Sequence, residues 1–216
     1  MYAVREDCRQ PGFAHLPRVL SSTDVEDFRR RLCAAAEGLF AEHGPDAVTM
    51  RQLAQALGVS PMTPYRYFAD KDAILAAVRA AAFTRFAEAI EAALAAPGDP
   101  VARSRHAGQA YVAFALGQPQ AYRLMFDLTQ PTEKAYPELT AAVVRARRTM
   151  TAHVEAMIAA GQMSGDAELI GHLFWTILHG SLMLQLSGKL SPSIDPEKLR
   201  MTAISALSRG LGLAAD

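Results

Sequence analysis

The sequence predicts an all-α protein of one or two domains. Half of its 216 residues are apolar, with abundant Ala, Leu and Met, and these residue types favour helices over strands. Apolar residues recur at helical spacing along most of the chain, and no stretch shows the strict alternation of a half-buried strand. Clusters of Pro and Gly separate the helical stretches. A chain of this length can bury a sizeable core.

The first predicted helix follows an irregular arm over residues 1–22, which contains scattered Pro, Gly and Ser. We interpret this arm as a flexible leader, with a minor-groove contact as the alternative. Ser22 or Thr23 can cap a helix that runs to about His43, and Gly44-Pro45 ends it. Its apolar stripe comprises Val25, Phe28, Leu32, Ala35, Leu39 and Phe40.

Two short helices joined by a tight turn are predicted over residues 49–71. The first has one apolar face, and Gly58 accepts the positive φ of a sharp turn. Ser60 is a good N-cap and Pro61 a favoured first helical residue, so a second helix is predicted to begin there. This is the layout of a helix-turn-helix, whose second helix can enter the DNA major groove. The apolar face of the first helix comprises Leu53, Ala54 and Leu57.

A long helix is predicted from about Lys71 to Ala95, with Asp70 as its cap. The Pro97–Pro100 cluster ends it and separates an N-terminal head from a C-terminal body. Because the long helix begins in the head, we interpret it as the mechanical link between the two parts. The predicted domains are an arm at 1–22, a DNA-binding domain at 23–75, and a ligand-binding and dimerisation domain at 76–216. The remaining helices are predicted at about 100–117, 119–128, 134–161, 166–188 and 196–212.

An ordered set of motifs from about Asp27 to Leu75 gives these local signals a family context. In order they are Ala35-Ala36, Leu39-Phe40 and Gly44, then Thr49, Leu53-Ala54, Gly58-Val59-Ser60, and finally Tyr65, Phe68 and Lys71. This set resembles the TetR/AcrR family of bacterial repressors. The resemblance implies an N-terminal DNA-binding head, a C-terminal regulatory domain and a homodimer.

The predicted DNA-binding residues lie in and around the second short helix. Its exposed start would present Pro61, Met62, Thr63 and Arg66, and an arginine can bond guanine bidentately. The family resemblance implies contacts from residues that flank this helix. Simpler alternatives are a cap for Thr49, packing under the turn for Tyr65, and solvated charges for Arg66 and Lys71. The full predicted set is Thr49, Arg51, Ser60, Met62, Thr63, Tyr65, Arg66, Tyr67 and Lys71.

Two features weigh against simple DNA binding. The formal net charge is zero, whereas phosphate neutralisation dominates DNA affinity. Pro64 stands where relatives of the family carry an apolar helix former, and proline lacks an N–H. Because Pro64 falls near the first intrahelical bond, we expect only a small distortion of the second helix.

The second half of the chain is rich in aromatic residues and Met at helical spacing. Such residues form ordinary cores, but they also line adaptable apolar pockets. Trp175, His179 and Gly180 resemble the Trp-His-Gly signature of one subgroup of the family, and we expect Gly180 to permit a close helix crossing. His179 is either a satisfied core histidine or a polar contact in the pocket. The predicted ligand-binding residues are Tyr111, Phe114, Tyr122, Met125, Phe126, Met157, Trp175 and His179.

Several function classes receive no support from the sequence. It contains no catalytic constellation, phosphate-binding loop or metal-ligand cluster, so we expect no enzyme activity, metal or cofactor. Cys8 and Cys33 are interpreted as free thiols. The apolar stretch from Leu169 to Leu186 is interrupted by polar residues, which argues against a membrane span. We expect a cytoplasmic protein.

The sequence therefore predicts a DNA-binding transcriptional regulator, a repressor that an apolar small molecule releases from a pseudo-palindromic double-stranded operator. Its last two helices are apolar on more than one face, and they are predicted to form the homodimer. The alternative is a ligand-binding or scaffold protein of the same fold that no longer binds DNA.

Overall fold

The computed structural model describes residues 21–127 and 133–212, and only helices, turns and loops occur within those ranges. The all-α prediction is confirmed. The α-helices are α1 (Ser22–His43), α2 (Met50–Ala56), α3 (Lys71–Leu94), α4 (Pro100–Gly117), α5 (Pro119–Met125), α6 (Pro137–Ala159), α7 (Ala167–Leu186) and α8 (Pro196–Gly210). Two 3₁₀ helices occur as well: Pro64–Arg66 lies between α2 and α3, and Glu133–Ala135 lies between α5 and α6. All of the predicted arm except Ser21 and Ser22 lies outside the described residues.

Side-chain caps fix where several helices begin. The Ser21 hydroxyl accepts a hydrogen bond from the Asp24 amide at 3.1 Å, and the Asp24 carboxylate accepts one from the Ser21 amide. At the start of α3, Asp70 accepts from the Ala73 amide at 2.8 Å. Each bond satisfies an amide that a helix start leaves unpaired. The predicted helix limits agree with the structure to within about three residues, except after Gly58.

The buried residues of the described ranges form three apolar clusters, and α3 contributes to the two larger ones, a head core and a body core. In the head, Ile74 and Leu75 of α3 pack with α1, α2 and Phe68. In the body, Phe83 and Phe86 of α3 pack with α4 to α7. The short helix α5 also belongs to both, because Leu124 packs in the head core while its neighbours pack in the body core. Two helices therefore connect the head to the body.

Helices α6 and α7 approach each other closely at Gly171. A Cβ atom at this position would lie 2.5 Å from the Met150 carbonyl oxygen, so only glycine allows the two backbones to pack this tightly. Gly180 makes no such crossing within the described chain, because a Cβ at Gly180 would meet nothing within 4 Å. Gly180 instead lies on the exposed side of α7.

Helix α7 is long and apolar enough to span a membrane by length and composition alone, with a mean hydropathy of 1.3. Part of it is buried in the body core through Leu178 and Leu182. Its opposite side exposes Leu169, Leu173 and Leu184. The helix therefore has one face packed inside this chain and a second apolar face without a partner among the described residues.

Cys33 of α1 is a free thiol. Burial raises the pKa of this thiol to about 11, so it is protonated at neutral pH and poorly reactive. Cys8 lies outside the described residues.

Candidate DNA interface and ligand cavity

The reading segment, residues 60–67, is not the α-helix that the sequence predicts. The Thr63 amide donates to the Ser60 carbonyl at 2.8 Å, closing a turn, and Pro64–Arg66 then form a 3₁₀ helix. Pro64 has no N–H, so the bond that would close a first α-helical turn on the Ser60 carbonyl cannot form. The expected small distortion was therefore an underestimate. Ser60 caps this turn only weakly, accepting from the Met62 amide at 3.4 Å.

The reading segment nonetheless exposes most of its predicted contact residues. Met62 is 68% exposed and Tyr65 is 48% exposed. Arg66 is also exposed. Within the described residues no hydrogen bond or ion pair holds its guanidinium, so its N–H donors remain available. Thr63 is half-buried, and Arg51 on α2 is exposed. Met62, Tyr65, Arg66 and Arg51 are thus all accessible to solvent on the head.

Arg29 of α1 supports this segment from beneath, and sequence reasoning missed it. Its Nη1 donates to the Tyr67 carbonyl oxygen at 2.8 Å, and its guanidinium lies 4.2 Å from the centre of the Phe68 ring. The neighbouring Phe28 stacks on the Tyr67 ring at 4.1 Å. Tyr67, predicted to contact DNA, is therefore half-buried against α1. The one signal for this role was the position of Arg29 between apolar positions Phe28 and Leu32.

Two other predicted contact residues make hydrogen bonds within the head. The Thr49 hydroxyl caps α2, accepting from the Gln52 amide at 3.3 Å and donating to the Gln52 side chain at 2.8 Å. The Lys71 ammonium donates to the Pro45 carbonyl at 2.7 Å. It thereby holds the loop between α1 and α2 against the start of α3. A second N–H of the ammonium donates to the Asp46 carbonyl at 3.3 Å, so one of its three donors remains for a phosphate.

The body contains a cavity of about 600 Å³ between α4, α6, α7 and α8, within the range of roughly 300–1,000 Å³ for small-molecule sites. Of the predicted ligand-binding residues, Tyr111, Met157 and Trp175 line it. Met125, Phe126 and again Trp175 line a second cavity of about 150 Å³. Phe114, Tyr122 and His179 line neither cavity. Trp175 thus lies on the wall between the two spaces.

A buried chain of hydrogen bonds joins four aromatic side chains beside the larger cavity. The Trp175 Nε1–H donates to the Tyr111 hydroxyl at 3.0 Å. The hydroxyls of Tyr111 and Tyr122 lie 2.8 Å apart, and the Tyr122 hydroxyl lies 2.7 Å from His179 Nδ1. The indole N–H of Trp175 can only donate a hydrogen bond, so the Tyr111 hydroxyl accepts from it. All three bonds then form if the Tyr111 hydroxyl donates to Tyr122 and the Tyr122 hydroxyl donates to His179.

The charge states of these groups agree with that direction. Burial raises the pKa of Tyr111 to about 12 and raises that of Tyr122 as well. Burial lowers the pKa of His179, so its imidazole is neutral and Nδ1 can accept. His179 is therefore a hydrogen-bonded histidine behind the wall of the cavity.

Tyr122 brings this hydrogen-bond chain onto α5. Two residues further along α5, Leu124 packs in the head core, and Arg123 donates to the Leu186 carbonyl at the end of α7. The Met125 carbonyl accepts from Arg79 of α3 at 3.2 Å. Because α5 is short and bonded to both α3 and α7, displacement of Tyr122 would also shift Leu124 and disturb the packing of the head core.

Sequence reasoning missed most polar groups of the larger cavity. Ser104 of α4 lies 2.8 Å from Nδ1 of His153 on α6, and burial lowers the pKa of His153 to about 4. Arg200 of α8 also lines the cavity while being only 6% exposed. These residues are far apart in sequence and belong to no motif, so nothing in the sequence pattern marked them.

Comparison with known proteins supports both halves of this arrangement. Residues 32–78 match the family described as bacterial regulatory proteins, tetR family. Residues 104–207 match the tetracyclin repressor-like, C-terminal domain. The HTH-type transcriptional regulator HbdR of Aromatoleum sp. is 33% identical over 49% of this chain and 46% of its own length. The HTH-type transcriptional repressor Rv1474c of Mycobacterium tuberculosis is 39% identical over 29% of this chain and 33% of its own. The matched segments thus span less than half of these relatives.

Solved structures share the fold over nearly the whole described chain. A protein of unknown function from Rhodococcus sp. RHA1 has a TM-score of 0.75 and 29% identity, covering 90% of this chain and 98% of that one. PfmR from Thermus thermophilus, a TetR family regulator, has a TM-score of 0.64 at 21% identity, covering 86% and 100%. At that identity the second match shows the fold alone.

A helix-turn-helix head on a helical body that contains a cavity defines a class of regulatory proteins. The two matched regions are the two parts of one such family. The chain belongs to the TetR family of bacterial transcriptional regulators, which is a family of regulators and not of enzymes.

Proposed function

We propose that this protein is a DNA-binding transcriptional regulator, a repressor that an apolar small molecule releases from a pseudo-palindromic operator. The observation that supports DNA binding most directly is the outward presentation of Met62, Tyr65 and Arg66 by the reading segment. Arg66 is the side chain best suited to reading guanine. Thr49, Arg51 and Lys71 would hold the phosphate backbone.

The proposed assembly is a homodimer formed through α7 and α8. Leu169, Leu173 and Leu184 of α7 are exposed at 60%, 39% and 45%, and Met201 of α8 is 58% exposed. Exposed apolar side chains of this kind are typical of a protein interface. Gly180, which lies open on the same side, would let two copies of α7 approach closely. Twofold symmetry would place two reading segments roughly 34–36 Å apart, one turn of DNA.

The proposed switch is a shift between two spacings of the heads. A ligand that fills the cavity would contact Tyr111 and Trp175, and these bond to Tyr122 on α5. Helices α3 and α5 both enter the head core, so they would carry the displacement. The typical coupling between two such sites is about 1–3 kcal/mol. Corepression would use the same coupling with the opposite sign.

The proposal also covers the domain limits, the subgroup of the family and the cellular location. We place the domain limits at residues 23–75 and 76–216, with an N-terminal arm at 1–22. We assign the body to the Trp-His-Gly subgroup on the basis of Trp175, His179 and Gly180. A cytoplasmic location follows from the proposed DNA partner.

The test begins with selection of duplexes from a random pool by the full-length protein. We expect an enriched inverted repeat whose affinity, measured by fluorescence anisotropy, falls steeply with salt. Arg66→Ala should weaken binding to this duplex about 10- to 100-fold, the discrimination of one bidentate contact. The control is Arg148→Ala, which removes an exposed arginine of α6. Failure to enrich any sequence would instead support the scaffold alternative, to which the zero net charge and the 3₁₀ geometry point.

A further inference from the structure

The larger cavity contains a buried positive charge that the apolar-ligand proposal does not use. Arg200 lies on α8, is 6% exposed and forms part of the cavity wall. A guanidinium stays charged at every physiological pH. Arginine is almost never fully buried unless it is paired, because removing an unpaired charge from water is costly.

The partners of Arg200 do not neutralise it. Its Nη1 donates to the Gln185 side-chain oxygen at 2.6 Å, and no carboxylate of the described residues lies within 4 Å of it. Arg79, which is similarly buried, shows the contrast, since its Nη2 lies 3.3 Å from the Glu133 carboxylate. One neutral oxygen thus accepts from one of the five N–H donors of Arg200.

The other charges around the cavity do not alter this imbalance. Glu197 lines the same wall one helical turn before Arg200, but it is exposed to solvent and makes no ion pair with Arg200 among the described residues. Arg105 also lines the cavity and is exposed. The buried charge of the cavity wall is therefore the positive charge of Arg200.

The remaining wall is largely apolar. Its larger side chains are those of Ile90, Val101, Met157, Phe174, Trp175 and Leu178. Such a wall favours a hydrocarbon body, and flexible Met side chains adapt to its shape. A molecule that suits both features has an apolar body and one anionic group.

We propose that the cavity binds an amphipathic carboxylate, whose carboxylate group pairs with the Nη2 and Nε edge of Arg200. A carboxylate matches the planar fork of a guanidinium with two parallel hydrogen bonds. The inference deepens the proposed function, and it rests on that function for its regulatory consequence alone. It replaces a purely apolar effector with an anionic one.

The chain contains a built-in probe for this binding. Trp175 is the single tryptophan and lines the cavity, so its fluorescence reports occupancy. The experiment titrates the full-length protein with decanoate and with decanol, which share a chain length and differ in charge. We expect decanoate to bind about tenfold more tightly or better, as for a charged hydrogen-bonded contact. Arg200→Met should remove this preference and leave decanol binding unchanged, and Arg200→Lys should retain part of it.

Two controls separate binding from folding. Arg148→Met makes the same substitution on the exposed side of α6, and it should keep the preference for decanoate. Arg200→Met should melt no lower than the wild type in the absence of ligand, because replacing an unpaired buried charge by an apolar side chain of similar length is often neutral or stabilising. A lower melting temperature would show that the bond between Arg200 and Gln185 stabilises the fold, and the decanoate preference of the Arg200→Lys variant would then decide the role of Arg200 in binding.

The proposal is overturned if decanoate and decanol bind equally, if neither changes Trp175 fluorescence, or if Arg200→Met retains the preference. The selected duplex provides the independent measurement of function. If decanoate binds through Arg200 but leaves duplex affinity unchanged, the anion site stands and the regulatory switch fails. If the protein selects no duplex, DNA binding fails while the fluorescence result still decides the site.

Discussion

The head and the body place their functional groups in opposite ways. The head packs a small core around Leu53 and Phe68 and exposes its candidate contacts, Met62, Tyr65 and Arg66, to solvent. The body buries its candidate contacts and leaves a cavity of about 600 Å³ among them. A solvated contact residue costs the fold little, whereas a buried polar group must have a partner. The two regions should therefore respond very differently to substitution.

The largest expected difference between the two regions concerns His153 in the body. Burial lowers the pKa of this histidine from about 6.5 to about 4. As the pH falls below about 6.5, the unfolded chain binds a proton at this residue before the folded protein does. The stability present above that pH is therefore lost between about 6.5 and 4, by about 3 kcal/mol for a shift of this size.

Replacing His153 with Gln should remove this contribution. We expect urea unfolding to show a loss of stability between neutral pH and about pH 4 that is about 3 kcal/mol smaller than in the wild type. His43→Gln, which replaces an exposed histidine at the end of α1, is the matched control for the substitution itself. A His153→Gln curve parallel to the wild-type curve would show that burial of this imidazole does not affect acid stability.

A smaller difference is expected for tyrosine hydroxyls. Tyr122→Phe deletes the hydroxyl between Tyr111 and His179, which leaves a buried donor and acceptor unpaired and should cost about 1–3 kcal/mol. Tyr65→Phe deletes an exposed hydroxyl in the head and should change stability by less than about 0.5 kcal/mol. Chemical denaturation of both variants gives the comparison. Equal losses would contradict the contrast between a buried body network and a solvated head surface.

The third prediction concerns Arg29, whose replacement should have a small effect on stability and should also weaken DNA binding. Arg29→Met removes the bond to the Tyr67 carbonyl and the contact with the Phe68 ring, and should destabilise the head by about 1 kcal/mol. Since this side chain holds the end of the reading segment, affinity for the selected duplex should also fall. Arg30→Met is the matched control, because Arg30 is exposed and its ion-pair partner among the described residues is Asp27, one turn away at 2.9 Å. Equal duplex affinities for the two variants would exclude a supporting role for Arg29.

The sequence predicted the features that depend on near neighbours. Caps such as Asp70 act on amides three residues away, and apolar spacing alone marks helix faces. Pro64 was the local exception, because the cost of its missing N–H depended on whether the first turn could close another way. The structure closes it with bonds three residues long, which a 3₁₀ helix uses and an α-helix does not.

The cavity could not be predicted with the same success, because its contacts join distant residues. Ser104 and His153 are 49 positions apart, and Tyr122 and His179 are 57 apart. Trp175 and His179 were identified through a family resemblance, and the aromatic set through composition. Arg200 gave no signal, since an arginine on an amphipathic helix is ordinarily solvated. Only the packing of α8 against the body shows that this one is buried.

The 3₁₀ form of the reading segment changes the scale on which it could match DNA. A 3₁₀ helix rises about 2.0 Å per residue against 1.5 Å in an α-helix, and its side chains three apart eclipse one another. Arg66 and Thr63, the residue that caps this 3₁₀ helix, would then be aligned one above the other, about 6 Å apart along the helix axis. Successive bases on a strand are about 3.4 Å apart. These two side chains would therefore span nearly two base steps, a longer distance than three residues of a regular α-helix provide.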